Sequence, residues 1–288
     1  MLSIPFLTLH TPASYRSAVA TDNRLGEVFA EERQHQIGRL VVELGRVRVG
    51  DLAQRFGVSG VTIRKDLDAL ERQGRIVRTH GGAVSPAGAG MERAFDVRER
   101  LQHAEKEAIG REAAALVADG ESIALDASTT AYAMARHLRA RGGWLHLTVV
   151  TNGLRIALEL AGVSGVTVVM PGGFIRPEAL SLVGPLGEGL LERVNVQRAF
   201  LGATGFSVEA GLCDGTEEEA QIKRLLVAAA TETIGLVDHT KWARRSLATF
   251  CPTSSLTAVI TDAPVAGGMA EALLAAGVRL VEASVRGG

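Results

Sequence analysis

At 288 residues, 47% of them hydrophobic and 22% charged, the chain is long enough for two packed domains and has the balance of a globular protein. Its apolar runs are short and broken by Gly or charge, which excludes a membrane-spanning helix, and 4% aromatic content argues against a base-stacking, single-strand-binding surface. The net charge of −1 hides a division: residues 31–84 carry ten Lys/Arg against seven Asp/Glu, a surplus of +3 that leaves −4 on the remainder and concentrates positive charge where phosphates would be met.

Residues 1–30 read as a disordered extension. They lack the basic and long apolar regions of a signal peptide. A helix is predicted over 31–44, with Ile37, Leu40, Val41 and Leu44 as its apolar stripe and Gly45 as its stop. A short helix over 51–56 turns Leu52, Ala53 and Phe56 inward, and Gly57 makes a tight turn. Ser59 then caps a helix running to about residue 73, in which Ile63, Leu67 and Leu70 fall at i, i+4 and i+7 and form one buried stripe.

The opposite face of that helix, at about 100° per residue, presents Val61, Thr62, Arg64 and Lys65. Hydroxyl, methyl and cation are what a helix needs to meet base edges, thymine methyls and phosphates in the major groove. Arg64 and Lys65 could be ordinary solvated charges, but their place early in the second helix of a helix-turn-helix favours DNA contact. Asp66 lies nearer the buried stripe and is expected to orient a neighbouring arginine. Residues 75–84 read as a two-stranded wing turning at Gly81 and Gly82, with Arg75, Arg78 and His80 as phosphate or minor-groove contacts. Residues 31–84 are therefore expected to form a winged helix-turn-helix that binds double-stranded operator DNA.

Residues 85–98 read as a linker, its first part rich in Gly, Ala and Pro. Beyond it helices and strands alternate. Helices are expected over 105–117, 130–138, 154–160, 217–230 and 269–276, and strands over 121–126, 147–151, 166–170, 198–201, 232–238, 258–261 and 278–282. Short Val/Ile/Leu-rich strands between helices indicate an α/β fold with a mainly parallel sheet covered on both faces over 99–288. Cys213 and Cys251 have no metal-ligand spacing and read as reduced thiols of a cytoplasmic protein; neither a metal nor a cofactor is expected.

The chain resembles the DeoR family of bacterial transcriptional regulators. The match runs through Arg33, Ile37, Ser59-Gly-Val-Thr-Ile-Arg-Lys-Asp-Leu67 and His80-Gly-Gly82. It continues with Glu105-Lys106, Leu125-Asp-Ala-Ser-Thr-Thr130, Val150-Thr-Asn-Gly153, Pro171-Gly-Gly173 and Ser181-Leu-Val-Gly184. Phe200-Leu-Gly-Ala-Thr-Gly205, Glu219-Ala-Gln-Ile-Lys223, Val237-Asp-His-Thr-Lys241 and Ile260-Thr-Asp262 complete it. The resemblance implies a sensor domain of the sugar-phosphate isomerase and CoA-transferase type of fold. It also implies a homo-oligomer, dimer or tetramer, and a repressor of sugar metabolism released by a phosphorylated sugar. Ala127 stands where many members have Gly, and its methyl could alter how a ligand approaches.

Asp126, Ser128, Thr129 and Thr130 lie between a strand end and a helix start, where backbone N–H groups and a helix dipole favour a phosphate. The plainer role for Ser128 or Thr129 is a helix cap, which needs one hydroxyl and not three. Asn152 could bond a sugar hydroxyl or simply close an Asx-turn. Gly172, Gly173 and Gly202 allow close backbone approach to a ligand, though tight turns need glycine too.

Lys223 and Lys241 are the cations expected to meet a phosphate. Lys223 could equally pair with Glu219 one turn earlier, in a helix whose opening acids, Glu217 to Glu219, suit a solvated first turn. A rival reading is an active sugar-phosphate isomerase with a DNA-binding appendage, its base drawn from Asp126, Asp214, Glu218 or Asp238. Against it, Gly202-Ala-Thr-Gly205 stands without a carboxylate where such isomerases carry Asp-Gly-Ala-Asp-Glu. A constitutive architectural DNA binder would not need the phosphate loop.

Overall fold

The computed structural model describes residues 23–44, 46–73, 75–79, 81–84 and 95–285. The chain divides into two compact units at Pro86 and Ala87. The residues expected as a linker up to 94, and His80 on the wing, lie outside the described residues.

The first unit comprises α1 (Asn23–Leu44), β1 (Arg46–Arg48), α2 (Val49–Phe56), α3 (Gly60–Arg72), β2 (Val77–Thr79) and β3 (Gly82–Val84). α1 begins eight residues before its expected start. Ile37, Val41, Ile63, Leu67 and Leu70 have no exposed surface and form the centre of the unit. Gly57 ends α2 in the left-handed region (φ 64), which turns the chain sharply into the Ser59 cap of α3. The wing has three strands, in the order β1-β3-β2, where the sequence suggested two. At three residues β1 is too short to announce itself as a strand, and it pairs with the edge that β3 offers.

The second unit opens with α4 (Phe95–Arg100), so the last residues assigned to the linker are helical. In chain order there follow α5 (His103–Ala115), β4 (Ser122–Leu125), α6 (Thr129–Arg141), β5 (Leu147–Thr151), α7 (Leu154–Leu160) and β6 (Val166–Val169). The hairpin β7 (Phe174–Arg176) and β8 (Ser181–Val183) comes next, then α8 (Pro185–Leu191), β9 (Val196–Gly202), β10 (Gly205–Ser207) and β11 (Gly211–Asp214). The unit ends with α9 (Glu217–Ala229), β12 (Ala230–Leu236), β13 (Ala248–Cys251), β14 (Ala258–Thr261), α10 (Gly267–Ala275) and β15 (Arg279–Glu282).

Seven strands form one parallel sheet in the order β15-β14-β12-β9-β4-β5-β6. Side chains alternate across it. Ile123, Leu125, Val149 and Phe200 pack with Ile109, Met134 and Ile156 on one face, while Ala124, Val150 and Leu201 pack with Ile222, Leu226 and Leu273 on the other. Residues from α5, α6 and α7 thus cover one face and residues from α8, α9 and α10 the other, the α/β arrangement expected. Sequence reading missed the antiparallel sheet β10-β11-β13 and the β7–β8 hairpin, whose strands of three or four residues are too short to show a period.

The strand order fixes where a ligand can sit. From β4 the chain moves outward through β5 to β6, whereas from β9 it moves the other way through β12 and β14 to β15. The order therefore reverses between β4 and β9. At such a switch point the two connections leaving the strands' carboxyl ends diverge and open a crevice.

Candidate functional site

Asp126 follows the carboxyl end of β4, and Gly202 ends β9, so both stand at that switch point. Asp126 is completely buried, and its carboxylate accepts bonds from Gly202 N–H (3.1 and 3.2 Å) and from Ser128 Oγ (2.7 Å). A Cβ on Gly202 would lie 2.4 Å from Ser128 Oγ, so only glycine fits against this turn. Ser128 also caps α6, accepting from Ala131 N–H at 3.1 Å. Its hydroxyl thus has its one proton directed to Asp126 and a lone pair to the helix.

Lys223 sits below them, almost wholly buried. Its ammonium lies 2.7 Å from Asp126 Oδ2, 2.5 Å from Asp214 Oδ2 and 2.9 Å from the Gly202 carbonyl. An ammonium has three protons, and here each has an acceptor. Burial alone would lower the Lys223 pKa, but Asp126, Asp214 and Glu219 outweigh it and hold the group above its ordinary value. Lys223 is therefore a structural counter-ion shared by two buried carboxylates, its single charge offsetting one of their two. Neither carboxylate is left as a free base.

Glu219 does not stand on a solvated first turn as its helix position suggested. It is buried against the hairpin, bonding Arg176 at 2.9 Å and the Ser181 hydroxyl, while burial raises its pKa. Glu217 does stay at the surface, paired with Arg224 at 2.5 Å.

Above this buried layer is a cavity of about 560 Å³, within the size range of small-molecule sites. Thr129 and Thr130 at the start of α6 line it, with Gly202, Lys241 and the surface of Ser128. The N–H groups of Thr129 and Thr130 have no acceptor within the helix and lie at the positive end of its dipole. Lys223 and the carboxylates Asp214 and Asp238 also reach its wall, and among the lining residues that sequence reading did not assign are Arg98, Lys106, Gln102 and Arg244. Burial pulls Lys106 down to about 8, assisted by Lys241 and Arg98 and opposed by Asp238 and Glu99. Its signal was present in the sequence: Lys106 shares one face of α5 with the buried Ile109 and Ala113, at i+3 and i+7, an unusual place for a cation. Arg98 lay in what read as linker, and nothing in the local sequence marked it.

Four expected ligand residues do not line this cavity: Asp126, buried beneath it, and Asn152, Gly172 and Gly173. Asn152 is buried and donates from Nδ2 to the Leu182 carbonyl at 3.2 Å, while its backbone carbonyl accepts from Leu182 N–H, so it fastens the hairpin to the end of β5. Gly173 (φ 133) faces the Val183 backbone, where a Cβ would come within 2.4 Å, and Gly172 faces Leu186. Ala127 packs against Gly153, where an added Cβ would lie 3.0 Å from the Ala127 Cα, and also does not line the cavity.

Outside the cavity rim, Glu105, His239 and Asp262 bring potential metal-ligand atoms within 4.8 Å of one another. His239 is already satisfied there: Asp262 accepts from its backbone N–H at 2.7 Å and meets Nδ1 at 2.6 Å. That bond, aided by the charges of Asp262, Asp238 and Glu105, raises the His239 pKa and favours the protonated ring over a metal ligand. Cys213 and Cys251 are free and buried, and burial pushes Cys251 up to about 12, away from thiolate chemistry.

In the first unit, Ser59 Oγ accepts from Thr62 N–H at 3.1 Å and meets the Thr62 hydroxyl at 2.9 Å. Val61 is 60% exposed, and Arg64 and Lys65 are exposed beside it. Asp66 is buried and accepts from Arg33 at 2.6 and 3.2 Å and from Gln34 at 3.0 Å, tying α3 to α1. Arg78 bridges the wing to α3, bonding the Gly82 carbonyl at 2.9 Å and Asp68 at 3.1 Å. Arg75 is exposed, with its guanidinium close to α1 at Gly38.

Two family models match this architecture: a DeoR-like helix-turn-helix domain over residues 33–88 and a DeoR C terminal sensor domain over residues 101–263. The chain belongs to the DeoR family. The HTH-type transcriptional regulator GolR of Listeria innocua is 38% identical over 235 residues, 82% of this chain and 91% of that protein. The glycerol-3-phosphate regulon repressor of Escherichia coli is 30% identical over 233 residues, 81% of this chain and 91% of that protein. Ribose 5-phosphate isomerase A of Methanocaldococcus jannaschii covers 49% of this chain and 55% of its own, at 21% identity and a TM-score of 0.37, a partial likeness from which nothing about activity follows. This DeoR-family chain is a DNA-binding transcriptional regulator and not an enzyme. Among the described residues no helix is long and apolar enough to cross a membrane.

Proposed function

We propose that this regulator represses a sugar-metabolism operon and is released from operator DNA when a phosphorylated sugar enters the switch-point cavity. The observation that carries the effector class is the charge of the cavity wall. Lys223 offsets one of the two charges of Asp126 and Asp214, and Asp238 adds a third carboxylate, yet the further cations Arg98, Lys106, Lys241 and Arg244 line the space and leave positive charge in excess. Such an excess of positive charge beside a helix N-terminus suits a phosphate. The naming of the Escherichia coli relative for a glycerol-3-phosphate regulon supports the same class.

In this reading the phosphate bonds the N–H groups and hydroxyls of Thr129 and Thr130 and the rim cation Lys241. Ser128 and Lys223, whose donors are spent internally, hold Asp126 and Gly202 in place. Val61, Arg64 and Lys65 meet bases and phosphates in the major groove, Ser59 and Thr62 set the helix start against the backbone, and Arg75 and His80 add phosphate contacts. A homo-oligomer, dimer or tetramer, pairs the heads on two half-sites, because one head reads too few base pairs.

A thermal-shift panel tests the effector class. Glucose 6-phosphate and glycerol 3-phosphate are compared with glucose, glycerol and inorganic phosphate. At 100 times its dissociation constant a ligand stabilises the fold by about 2.7 kcal/mol, a readily measured shift. Stabilisation by phosphate esters, absent with the unphosphorylated parents and abolished in Thr129→Ala/Thr130→Ala, is the expected result. Equal stabilisation by the free sugars would remove the phosphate from the reading.

A further inference from the structure

The first described stretch of the sensor unit, residues 95–102, is itself a wall of the cavity. Phe95 opens α4 directly after residues 85–94, and Arg98, Leu101 and Gln102 from this segment line the cavity. Lys106 holds the segment in place, its ammonium donating to the Leu101 carbonyl at 2.6 Å and to the Arg98 carbonyl. Gln102, between α4 and α5, has φ 47, a left-handed conformation that costs a non-glycine residue energy, and it caps α5 without a side-chain bond. The far end of α4 is pinned: Phe95 is buried, its N–H donates to the Glu178 carbonyl at 2.8 Å, and its ring meets Tyr132 edge-on at 5.7 Å.

We propose that Lys106 is the trigger through which cavity occupancy reaches the DNA-binding unit, with α4 as the lever and Gln102 as its hinge. This rests on the cavity binding an anion. The ammonium now serves two carbonyl oxygens that carry only partial charge. A phosphate is a stronger acceptor and competes for the same protons. As Lys106 turns to the anion, the Arg98 and Leu101 carbonyls lose their donor, and the Arg98 side chain is drawn toward the same charge. The strained Gln102 backbone is where the segment can relax. Because α4 is covalently continuous with the residues leading to the DNA-binding unit, its displacement gives the two ligands, anion and operator, differential interactions with two states of one element, which allosteric coupling requires.

Amide hydrogen exchange on the full chain tests this, with inorganic phosphate, glucose 6-phosphate and glycerol 3-phosphate as probes. In the wild type, saturation should slow exchange at residues 129–131 and change it at residues 95–102. In Lys106→Met the change at 95–102 should vanish. Phe95 does not itself line the cavity, and Phe95→Leu loosens the pinned end while removing a ring contact 5.8 Å from the Arg98 guanidinium, so it should retain probe affinity within about threefold. Its operator affinity, measured on a duplex selected from random DNA, should respond to the probe less than twofold where the wild type responds fivefold or more. Protection at 129–131 without any change at 95–102 in the wild type overturns the lever while leaving the effector reading intact. Full operator response in Phe95→Leu and Lys106→Met overturns it as well. Absence of protection at 129–131 with every probe removes both readings together.

Discussion

Replacing Lys223 with Met should destabilise the sensor unit far more than it alters any surface. The substitution keeps the side-chain length and apolar stem but deletes the ammonium that lies 2.7 Å from Asp126 and 2.5 Å from Asp214. Asp126 would retain Ser128 Oγ and Gly202 N–H as donors, and Asp214 would retain Gly215 N–H at 2.6 Å. Two adjacent buried carboxylates would then lack a counter-ion. Breaking a buried ion pair from one side typically costs about 3–5 kcal/mol. For a unit of this size each kcal/mol moves the midpoint by roughly 2–4 °C, so a fall of about 6–20 °C is expected in calorimetry at pH 7.

The sign with pH is defined by the raised Lys223 pKa: its contribution is fully present below the ordinary lysine value and is lost only on titration above it, so the wild type should show no loss from this group through mildly alkaline pH. Adding Asp126→Asn and Asp214→Asn to Lys223→Met should recover part of the loss, because the uncompensated charges go with them. A midpoint within 2 °C of wild type for Lys223→Met alone would refute the counter-ion role.

Arg64→Ala should narrow the gap between operator and random DNA by about 1–3 kcal/mol in a salt-matched binding titration, the usual worth of a base contact. Equal losses on both DNAs would place Arg64 on the phosphates. Asp66→Ala strips Arg33 and Gln34 of their shared acceptor and should cost the winged helix about 1–3 kcal/mol in denaturant unfolding of the full chain. An unchanged unfolding curve would show that α3 needs no such tie. Above about pH 8 the apo cavity loses the Lys106 charge, so affinity for glycerol 3-phosphate should fall as pH rises from 7.5 to 9.5, and Lys106→Arg should flatten that limb. Without ligand the same lowered pKa acts oppositely on folding: the unfolded lysine holds its proton more tightly, so stability should rise between about pH 8 and the ordinary lysine value.

The sequence by itself determined the winged helix-turn-helix and the alternating α/β pattern, because both are written in local periods. Ile63, Leu67 and Leu70 repeat at helical spacing, Ser59 and Gly57 are local caps and turns, and each sheet strand is a short run bounded by breakers. It also pointed to the loop at Asp126 to Thr130, since a strand followed by hydroxyls and a helix is contiguous in the chain.

What the sequence could not supply was which of those groups still had protons to give. Ser128 and Lys223 read as ligands until the fold brought Asp126, Gly202 and Asp214 around them and consumed their donors. Asn152 and Gly173 were committed to the hairpin in the same way, and Arg78 to Asp68 and Gly82. Arg98 and Lys106 became cavity residues only because α4 and α5 pack at the mouth of β4, β9 and β11, all later in the chain. Hydrogen-bond saturation and burial are properties of three-dimensional neighbours. A linear pattern lists the donors, and only the tertiary structure decides which of them remain to meet a ligand.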